Sequence, residues 1–284
     1  MARYIKSFQN DAAIQAAVDD KSLGKPYVAL DDQLHRIDWN TKSDTPDYSK
    51  MYLTIEALSG GTFYVRKANV GYSVNGGAWE TTTGETALSL NQGHKVRFKG
   101  TDGGKSLFSG NTLAFNAYGN IESLEYGDDF EEVTSVKNVS GFAFCFSGCT
   151  GLFSAENLVL PAATLVNSCY MGMFGGCTNM KDAPAIPATA LAEGCCSSMF
   201  IACKNLEIGP ELNAETLYSS SYGWMFQACN KLKYIKCMAT NVPIDSTTNW
   251  LYSVSPTGTF VKKAGVTWLT GNSGIPSGWT VIEE

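Results

Sequence analysis

The sequence predicts an α+β chain in which a small antiparallel β-sandwich or barrel precedes a short solenoid of stacked repeats. Residues 50–100 alternate apolar and polar side chains, as half-buried strands do. Farther along, the phrase Met-Phe-x-x-Cys-x-x-Leu returns every 26 residues, with its aromatic residue at Phe174, Phe200 and Phe226. A fixed period of this length indicates units that stack, because each is too small to bury its own apolar face.

Residues 1–46 are predicted to form a small unit of their own. A strand at Tyr4–Ile5 is expected first, then a helix capped by Asn10 or Asp11, followed by two short strands within 27–39. The polar stretch 42–47 contains a proline and is typical of a linker. The first domain boundary is therefore placed after residue 46.

Residues 47–100 are predicted to form the small β domain, with short strands separated by turns. Its clearest signal is the tripeptide Asn-Gly-Gly at 75–77, since these residues tolerate the positive φ angles of a tight hairpin. The stretch 100–106 resembles a phosphate-binding loop only in part, because Lys99 stands where such a loop needs glycine. A plain turn is expected there.

Residues 101–237 are predicted to form the solenoid, and 238–284 its C-terminal cap. Each repeat is expected to contain a short strand, a turn at a proline and a helical turn, because apolar residues after the proline follow helical spacing. Two rows spaced by 26 residues support this alignment: Leu160, Ile186 and Leu212, and Leu165, Leu191 and Leu217. After residue 237, turn residues alternate with large apolar ones, which is typical of a piece that closes the end of a stack.

All nine cysteines follow residue 140 and are predicted to be structural. An odd count argues against a complete disulfide framework. A zinc site would need a CxxC pair or more histidines than His35 and His94, so no metal is expected. Four of the cysteines occupy one repeat position and should form a row of small buried side chains: Cys149, Cys177, Cys203 and Cys229.

Charge and hydropathy argue against two classes of protein. The net charge of −6 argues against a nucleic-acid-binding protein, which usually has a basic face. No run of 18 apolar residues occurs, so membrane insertion is not expected. The first residues lack the apolar region of a signal peptide, which favours a protein that is made and kept in the cytoplasm.

No constellation of catalytic residues stands out in the sequence. Asp128, Asp129, Glu131 and Glu132 are close neighbours, but adjacency in sequence does not place two carboxylates across a sugar bond. Such a run is usually a solvated loop. Two histidines provide few bases to activate a nucleophile. The chain is therefore predicted not to be an enzyme and to need no cofactor.

The repeats resemble a known family. The recurring phrase, together with Leu-Pro-Ala-Ala-Thr-Leu at 160–165 and Ile-Pro-Ala-Thr-Ala-Leu at 186–191, resembles the BspA-like leucine-rich repeats. The segment 250–279 is similar to the usual C-terminal end of such proteins, and 51–100 to the module that often precedes the repeats in gut-bacterial proteins. This resemblance implies a leucine-rich-repeat solenoid.

Residues 1–46 resemble a second family. The sequences Arg-Tyr-Ile-Lys-Ser-Phe at 3–8, Lys-Pro-Tyr-Val-Ala-Leu at 25–30 and Ile-Asp-Trp-Asn at 37–40 are similar to the N-terminal segment of fibre and other virion proteins of phages that infect gut bacteria. In that family the segment is an anchoring tag that docks an outer module onto the particle. The resemblance implies that a phage capsid or tail protein binds residues 1–46.

Two functional hypotheses follow from these resemblances. The first is a structural protein of the phage virion, a head- or tail-associated fibre or decoration, whose repeats attach to a glycan or protein of the host surface. Rows of equivalent positions suit such broad contacts. The alternative is a bacterial cell-surface leucine-rich-repeat adhesin, although the expected signal peptide is missing. A homo-oligomer is compatible with the first, since fibre-like parts are commonly symmetric.

No ligand-binding residue is assigned from the sequence, but one candidate contact stands out. Trp224 occupies a position where the neighbouring repeats have Ser198 and Gly172. A lone large aromatic at such a position is either a local packing filler or an exposed anchor for a ligand. The filler is favoured, because buried aromatics outnumber binding hot spots.

Overall fold

The structure is a computed structural model that describes residues 46–284. The helix and strands predicted within residues 1–45 lie outside the described residues. Strands make up 26% of the described chain and helices 3%. The strands form three sheets of seven, three and two strands, and none of these sheets closes on itself.

A largely antiparallel sheet begins the described chain, after a single 3-10 turn at Tyr48–Lys50. The strands of this part are β1 (Leu53–Ala57), β2 (Gly61–Val65), β3 (Gly71–Val74), β4 (Glu80–Thr81), β5 (Thr86–Leu90), β6 (Lys95–Lys99), β7 (Phe115–Asn120), β8 (Leu152–Ser154) and β9 (Leu158–Val159). The seven-stranded sheet has the order β4-β3-β6-β1-β7-β8, and β9 also pairs with β7. Strands β2 and β5 form a separate antiparallel pair.

The β2–β5 pair packs on the seven-stranded sheet through aromatic side chains. The Phe63 ring of β2 lies 5.3 Å from that of Phe115 in β7 and 5.5 Å from that of Phe108, between ring centroids. Phe108 in turn lies 5.3 Å from Phe146 of the first clear repeat. All four side chains are completely buried. One apolar core therefore runs from the sheet into the repeats.

Strand β7 joins the antiparallel region to the repeats. It pairs antiparallel with β1 and parallel with β8 and β9. Gly119 permits this arrangement, because its φ is +88° and a Cβ there would lie 2.2 Å from the carbonyl oxygen of Tyr52. The four-residue helix α1 (Ser123–Tyr126) follows β7.

The outer part of each repeat is a ribbon of consecutive turns. In the second clear repeat, Ser168, Gly172 and Gly176 have positive φ angles of 56°, 59° and 76°. A left-handed residue at every fourth position prevents the regular α-helical hydrogen-bond ladder. The N–H of Cys177 bonds instead to the carbonyl of Phe174, three residues earlier. Positive φ recurs at the equivalent positions of the next two repeats: Gly194, Ser198 and Ala202, and Ser220, Trp224 and Ala228.

The remaining N–H groups of each ribbon bond to the following repeat. Gly172 and Phe174 donate to the carbonyls of Ser197 and Met199, each at 2.8 Å. One set of donors thus closes the turns and the other joins the repeats, so the backbone is satisfied without a helix. On the inner side, four parallel rings stack at 5.4 to 5.5 Å: Phe146, Phe174, Phe200 and Phe226.

The predicted fold class is wrong. An α+β chain with a β-sandwich or barrel and a leucine-rich-repeat solenoid would need helices in the repeats, and within 101–237 the only helix is the four-residue α1, before the clear repeats. The strand expected in each repeat is often only an isolated bridge, as between Ile186 and Leu212. The physical reason is the period of the turns. A repeat of four residues is close to the 3.6 of a helix, so the apolar spacing at 165–174 fits both structures.

A three-stranded parallel sheet closes the chain. Its strands are β10 (Tyr234–Cys237), β11 (Gly258–Lys262) and β12 (Trp279–Glu283), in that order. The completely buried Trp250 stacks on Tyr222 of the last clear repeat at 6.4 Å and on Trp268 at 5.4 Å. Its indole N–H donates to the carbonyl of Gly274. The aromatic core of the repeats therefore continues into this final sheet.

Candidate binding surface

The outer side of the turn ribbons forms one face along the repeats, which we call the turn face. It is contributed by five segments of the chain, 140–149, 168–177, 194–203, 220–229 and 246–253, whose inward residues are buried and whose outward residues are partly exposed. Hydrogen bonds between consecutive ribbons hold these segments in register. Equivalent outward residues therefore form rows across the repeats.

The turn face has no formal charge. The chain as a whole has 17% charged residues, yet the five segments contain no aspartate, glutamate, lysine, arginine or histidine. Their outward residues are serine, threonine, asparagine, glutamine and glycine, together with a few large apolar side chains. Surfaces rich in serine, glycine, asparagine and aromatic residues are typical of binding sites that combine rigid apolar contacts with adaptable hydrogen bonds.

Two large side chains of the turn face lie over glycines of the neighbouring repeat. A Cβ on Gly172 would be 2.4 Å from the ring of Phe144, and one on Gly175 would be 3.0 Å from Ile201. Phe144 is nevertheless 38% exposed. The small residues of the second clear repeat thus make room for side chains from both of its neighbours, and this part of the face is closely packed.

Trp224 and Tyr252 stand in neighbouring repeats near the C-terminal end of the turn face. The structure places the Trp224 side chain at a half-buried position and leaves Tyr252 47% exposed. The carbonyl of Tyr252 accepts from the N–H of Ala228, four residues after Trp224, at 2.8 Å. Among the described residues, neither side chain stacks on another ring, lies beside a cation or forms a hydrogen bond. Tyr252 is therefore exposed, and Trp224 is partly exposed.

Two amide side chains belong to the same two segments as these aromatics. Gln227 and Asn249 are half-exposed, and their side-chain amides form no hydrogen bond within residues 46–284. Asn230, just outside the segment, is already engaged, since its Nδ2 donates to the carbonyl of Ser253 at 3.0 Å. Each free amide offers both donors and an acceptor. The end of the turn face thus combines apolar rings with unpaired polar groups.

The row of four cysteines is buried, as predicted. Cys149, Cys177, Cys203 and Cys229 are fully inaccessible, and all nine cysteines of the chain are free thiols. Each thiol of the row also donates a hydrogen bond to a backbone carbonyl, which the sequence did not reveal. The Cys177 Sγ donates to the carbonyl of Phe146 in the preceding repeat at 3.1 Å, and Cys203 does the same to Phe174. The Cys149 thiol donates to the carbonyl of Phe108 at 2.8 Å, and burial raises its pKa to about 12, so it keeps its proton for this bond.

The acidic run at 128–132 is not gathered into a site. Asp128 is exposed and accepts hydrogen bonds from Lys99 at 2.8 Å and from the Tyr52 hydroxyl at 2.6 Å. These bonds lower the pKa of the Asp128 carboxyl. Glu131 and Glu132 are exposed. Within the described chain, no three histidine, cysteine or acidic side chains converge as a metal site would require.

A buried pair of carboxyls was missed by the sequence reasoning. Glu122 is fully inaccessible, and both of its carboxyl oxygens lack a hydrogen-bond partner among the described residues. Burial, and next the charge of Glu125, raise the pKa of Glu122 to about 9. Glu125 is better satisfied, because it accepts from the N–H of Lys137 at 2.7 Å. Nothing in the local sequence distinguishes these glutamates from solvated ones.

A second aromatic cluster lies on the seven-stranded sheet. The Trp79 ring packs edge-on against Tyr52 at 5.1 Å, while Lys99 and Arg97 lie 4.5 and 5.3 Å from its centre. Lys99 is in turn paired with Asp128. The faces and edges of these rings are largely occupied by other side chains of the same protein. This cluster therefore serves the fold, and the turn face is the better candidate for binding.

Comparison with known proteins gives no family. No protein-family model matches the sequence, and no curated protein or solved structure matches it significantly. Among the described residues, no helix is long and apolar enough to cross a membrane. The turn face is therefore interpreted from its own chemistry.

Proposed function

We propose that this chain is a non-enzymatic structural protein of a phage virion, a head- or tail-associated fibre or decoration protein whose repeats adhere to the host surface. In this proposal residues 1–46 dock onto a capsid or tail protein. The resemblance of that segment to phage anchoring tags supports the docking role. The repeats supply the contact with the host.

The observation that carries the adhesive role is the composition of the turn face. It extends across five hydrogen-bonded segments, bears no charge, and leaves Tyr252 exposed and Trp224 partly exposed. Exposed aromatic residues set among uncharged polar groups are characteristic of recognition surfaces. The rigid backbone of the ribbons holds these side chains in place, so little conformational entropy is lost when a ligand binds.

The absence of catalysis is part of the proposal. In the acidic run, Asp128 is exposed, and its carboxylate accepts hydrogen bonds from Lys99 and Tyr52. The buried Glu122 is protonated at neutral pH because its pKa is about 9, and it has no contact with solvent through which a substrate could reach it. The thiols of the cysteine row are buried and engaged with backbone carbonyls. None of these groups is placed to attack a bound ligand.

The alternative is an adhesin on a bacterial cell surface. The similarity of the repeat phrase to BspA-like proteins favours it, and the turn face would serve it equally well. The two functions differ in where the chain is found. They also differ in the partner of residues 1–46, which would be a virion protein in one case and a component of the cell envelope in the other.

The location of the chain separates the two proposals. Mass spectrometry of phage particles purified from a lysate of the encoding phage should detect the chain at a constant ratio to the major capsid protein. Deletion of residues 1–46 should remove it from the particles, while the double substitution Trp224→Ser/Tyr252→Ser should leave it attached and reduce adsorption. Particles that never contain the chain, together with its recovery from the bacterial envelope, would establish the alternative.

A further inference from the structure

We propose that the C-terminal end of the turn face binds an uncharged saccharide, with sugar rings lying on Trp224 and Tyr252. We call the site the Trp–Tyr patch and define it as Trp224, Gln227, Asn249 and Tyr252. The inference rests on the proposed adhesive function and specifies the chemical class of its ligand. It is argued from backbone geometry, from the contacts of the side chains and from charge.

The backbone of Trp224 is the first argument. Its φ is +55°, in the left-handed region that large side chains rarely adopt. Gly172 and Ser198 occupy the same position in the two preceding repeats at similar angles, so the ribbon needs no large residue there. Phe144 shares the conformation, but its ring rests on Gly172. Trp224 has no ring partner within the described chain and is half-buried, so part of its side chain stays accessible. A strained backbone at a large residue that the ribbon does not require is typical of a functional position.

The side-chain chemistry of the patch is the second argument. A sugar ring presents C–H groups on one face and hydroxyls around its edge. The open rings of Trp224 and Tyr252 can receive the C–H face, since the π-system of an aromatic ring is electron-rich. The free amides of Gln227 and Asn249 can donate to the hydroxyls and accept from them. Both kinds of group therefore belong to two segments that are hydrogen-bonded to each other.

The charge of the surroundings is the third argument and selects the ligand. An acidic saccharide would need a lysine or arginine to pair with, and the turn face has none in its five segments. The nearest cation along the chain, Lys231, follows the fourth segment and lies outside the face as defined. A neutral saccharide requires no cation.

Affinity electrophoresis of the purified full chain tests the proposal. The gels contain one of four neutral polysaccharides (dextran, mannan, galactan and arabinoxylan) or the anionic polysaccharide alginate. At least one neutral polymer is expected to retard the chain, and alginate is not. Retardation should persist when the salt concentration rises, because no ion pair contributes to it. The substitution Trp224→Ser should weaken binding about tenfold or more, as loss of a central aromatic contact does.

Trp224→Ser also provides its own check on folding. Serine occupies the equivalent position at residue 198 with a φ of +56°, so the variant should unfold at the same temperature as the wild type or slightly above it. Ile208→Ser, which removes a 59% exposed apolar side chain outside the turn face, is the matched control and should bind normally. Retardation by none of the neutral polymers, retardation by alginate alone, or equal binding by Trp224→Ser would each overturn the saccharide proposal.

These results are separable from the broader function. A chain that is present in particles and adsorbs to host cells treated with periodate, which destroys many sugars, would keep the virion role and remove the saccharide. Adsorption that is abolished by protease treatment of the cells would identify a protein partner instead.

Discussion

The antiparallel sheet and the repeats use their aromatic side chains in different ways. In the sheet, Trp79 is flanked by Tyr52 and by the cations of Arg97 and Lys99. In the repeats, the inner phenylalanines stack on one another, while on the outer side Trp224 has neither a ring nor a cation partner within the described chain. An aromatic residue that is enclosed by its own protein stabilises the fold. One that is left open on an uncharged face is available to a ligand.

Replacing an aromatic residue should destabilise the protein most on the inner side of the repeats. Phe174 is completely buried and stacks between Phe146 at 5.5 Å and Phe200 at 5.4 Å, so Phe174→Ala removes two ring contacts and leaves a cavity. We expect a loss of about 3–5 kcal/mol in the free energy of unfolding, measured by chemical denaturation. Phe144→Ala, on the outer side, is expected to cost only about 1 kcal/mol. Equal losses would show that the inner row has no special role.

The junction between the two regions should respond to pH through Glu122. Its carboxyl has a pKa of 4.5 when exposed and about 9 in the folded state. Below pH 4.5 both states hold the proton; between 4.5 and 9 only the unfolded state releases it. The free energy of unfolding should therefore fall as pH rises through this window, with a slope of about 1.4 kcal/mol per pH unit from this group.

Glu122→Gln should remove that slope. The variant is expected to gain stability relative to the wild type as pH is raised from 5 to 8, because glutamine carries no charge to bury. Denaturation midpoints at several pH values measure the gain. Glu132→Gln, at an exposed position, is the control and should follow the wild type. A constant difference between Glu122→Gln and the wild type across this range would show that the Glu122 pKa is not raised.

On the outer side of the repeats, adding a side chain at Gly172 should destabilise the protein. Its φ is +59° and the ring of Phe144 lies 2.4 Å from the site of a Cβ, so Gly172→Ala combines backbone strain with displacement of that ring. A loss of about 2 kcal/mol is expected. Gly76→Ala isolates the backbone part, since its φ is +76° with no atom within 4 Å of a Cβ, and should cost about 1 kcal/mol. Thermal unfolding compares the two, and equal costs would mean that Phe144 does not press on Gly172.

The smallest effect is expected in the charged cluster of the sheet. Asp128→Asn weakens the contacts with Lys99 and with the Tyr52 hydroxyl. Because Asp128 is 62% exposed, the loss should be about 1 kcal/mol or less and should shrink in high salt. Denaturation at low and high salt measures it. A larger loss that does not depend on salt would mean that the contacts of Asp128 are shielded from solvent.

The sequence predicts the spacing of the repeats well but not the conformation within them. The 26-residue interval correctly aligned Phe174, Phe200 and Phe226, which stack in the structure. The turn predicted at 75–77 is confirmed, because asparagine and glycine are the residues that most readily adopt positive φ. The ribbon of turns was mistaken for a helix, since Ser168 and Ser198 adopt positive φ without being residues that usually signal it.

The candidate site was only partly predictable. Trp224 could be singled out because it differs from its counterparts Gly172 and Ser198 in sequence. Tyr252 lies beyond the last clear copy of the phrase, and only hydrogen bonds between ribbons, such as that from Ala228 to Tyr252, show that its segment follows that of Trp224. The buried Glu122 was invisible for another reason, because its burial depends on contacts between distant segments. The turn face is likewise a property of stacked ribbons that no single repeat displays.

Binding of the labelled full chain to host cells tests the central claim most directly. The measurement is flow cytometry of the wild type, of the double variant Trp224→Ser/Tyr252→Ser, and of Ile208→Ser as a control outside the turn face, where a 59% exposed apolar side chain is removed. The wild type and Ile208→Ser should bind cells equally, and the double variant should lose most of its binding. If the double variant, still folded, binds as well as the wild type, the turn face is not the adhesive surface.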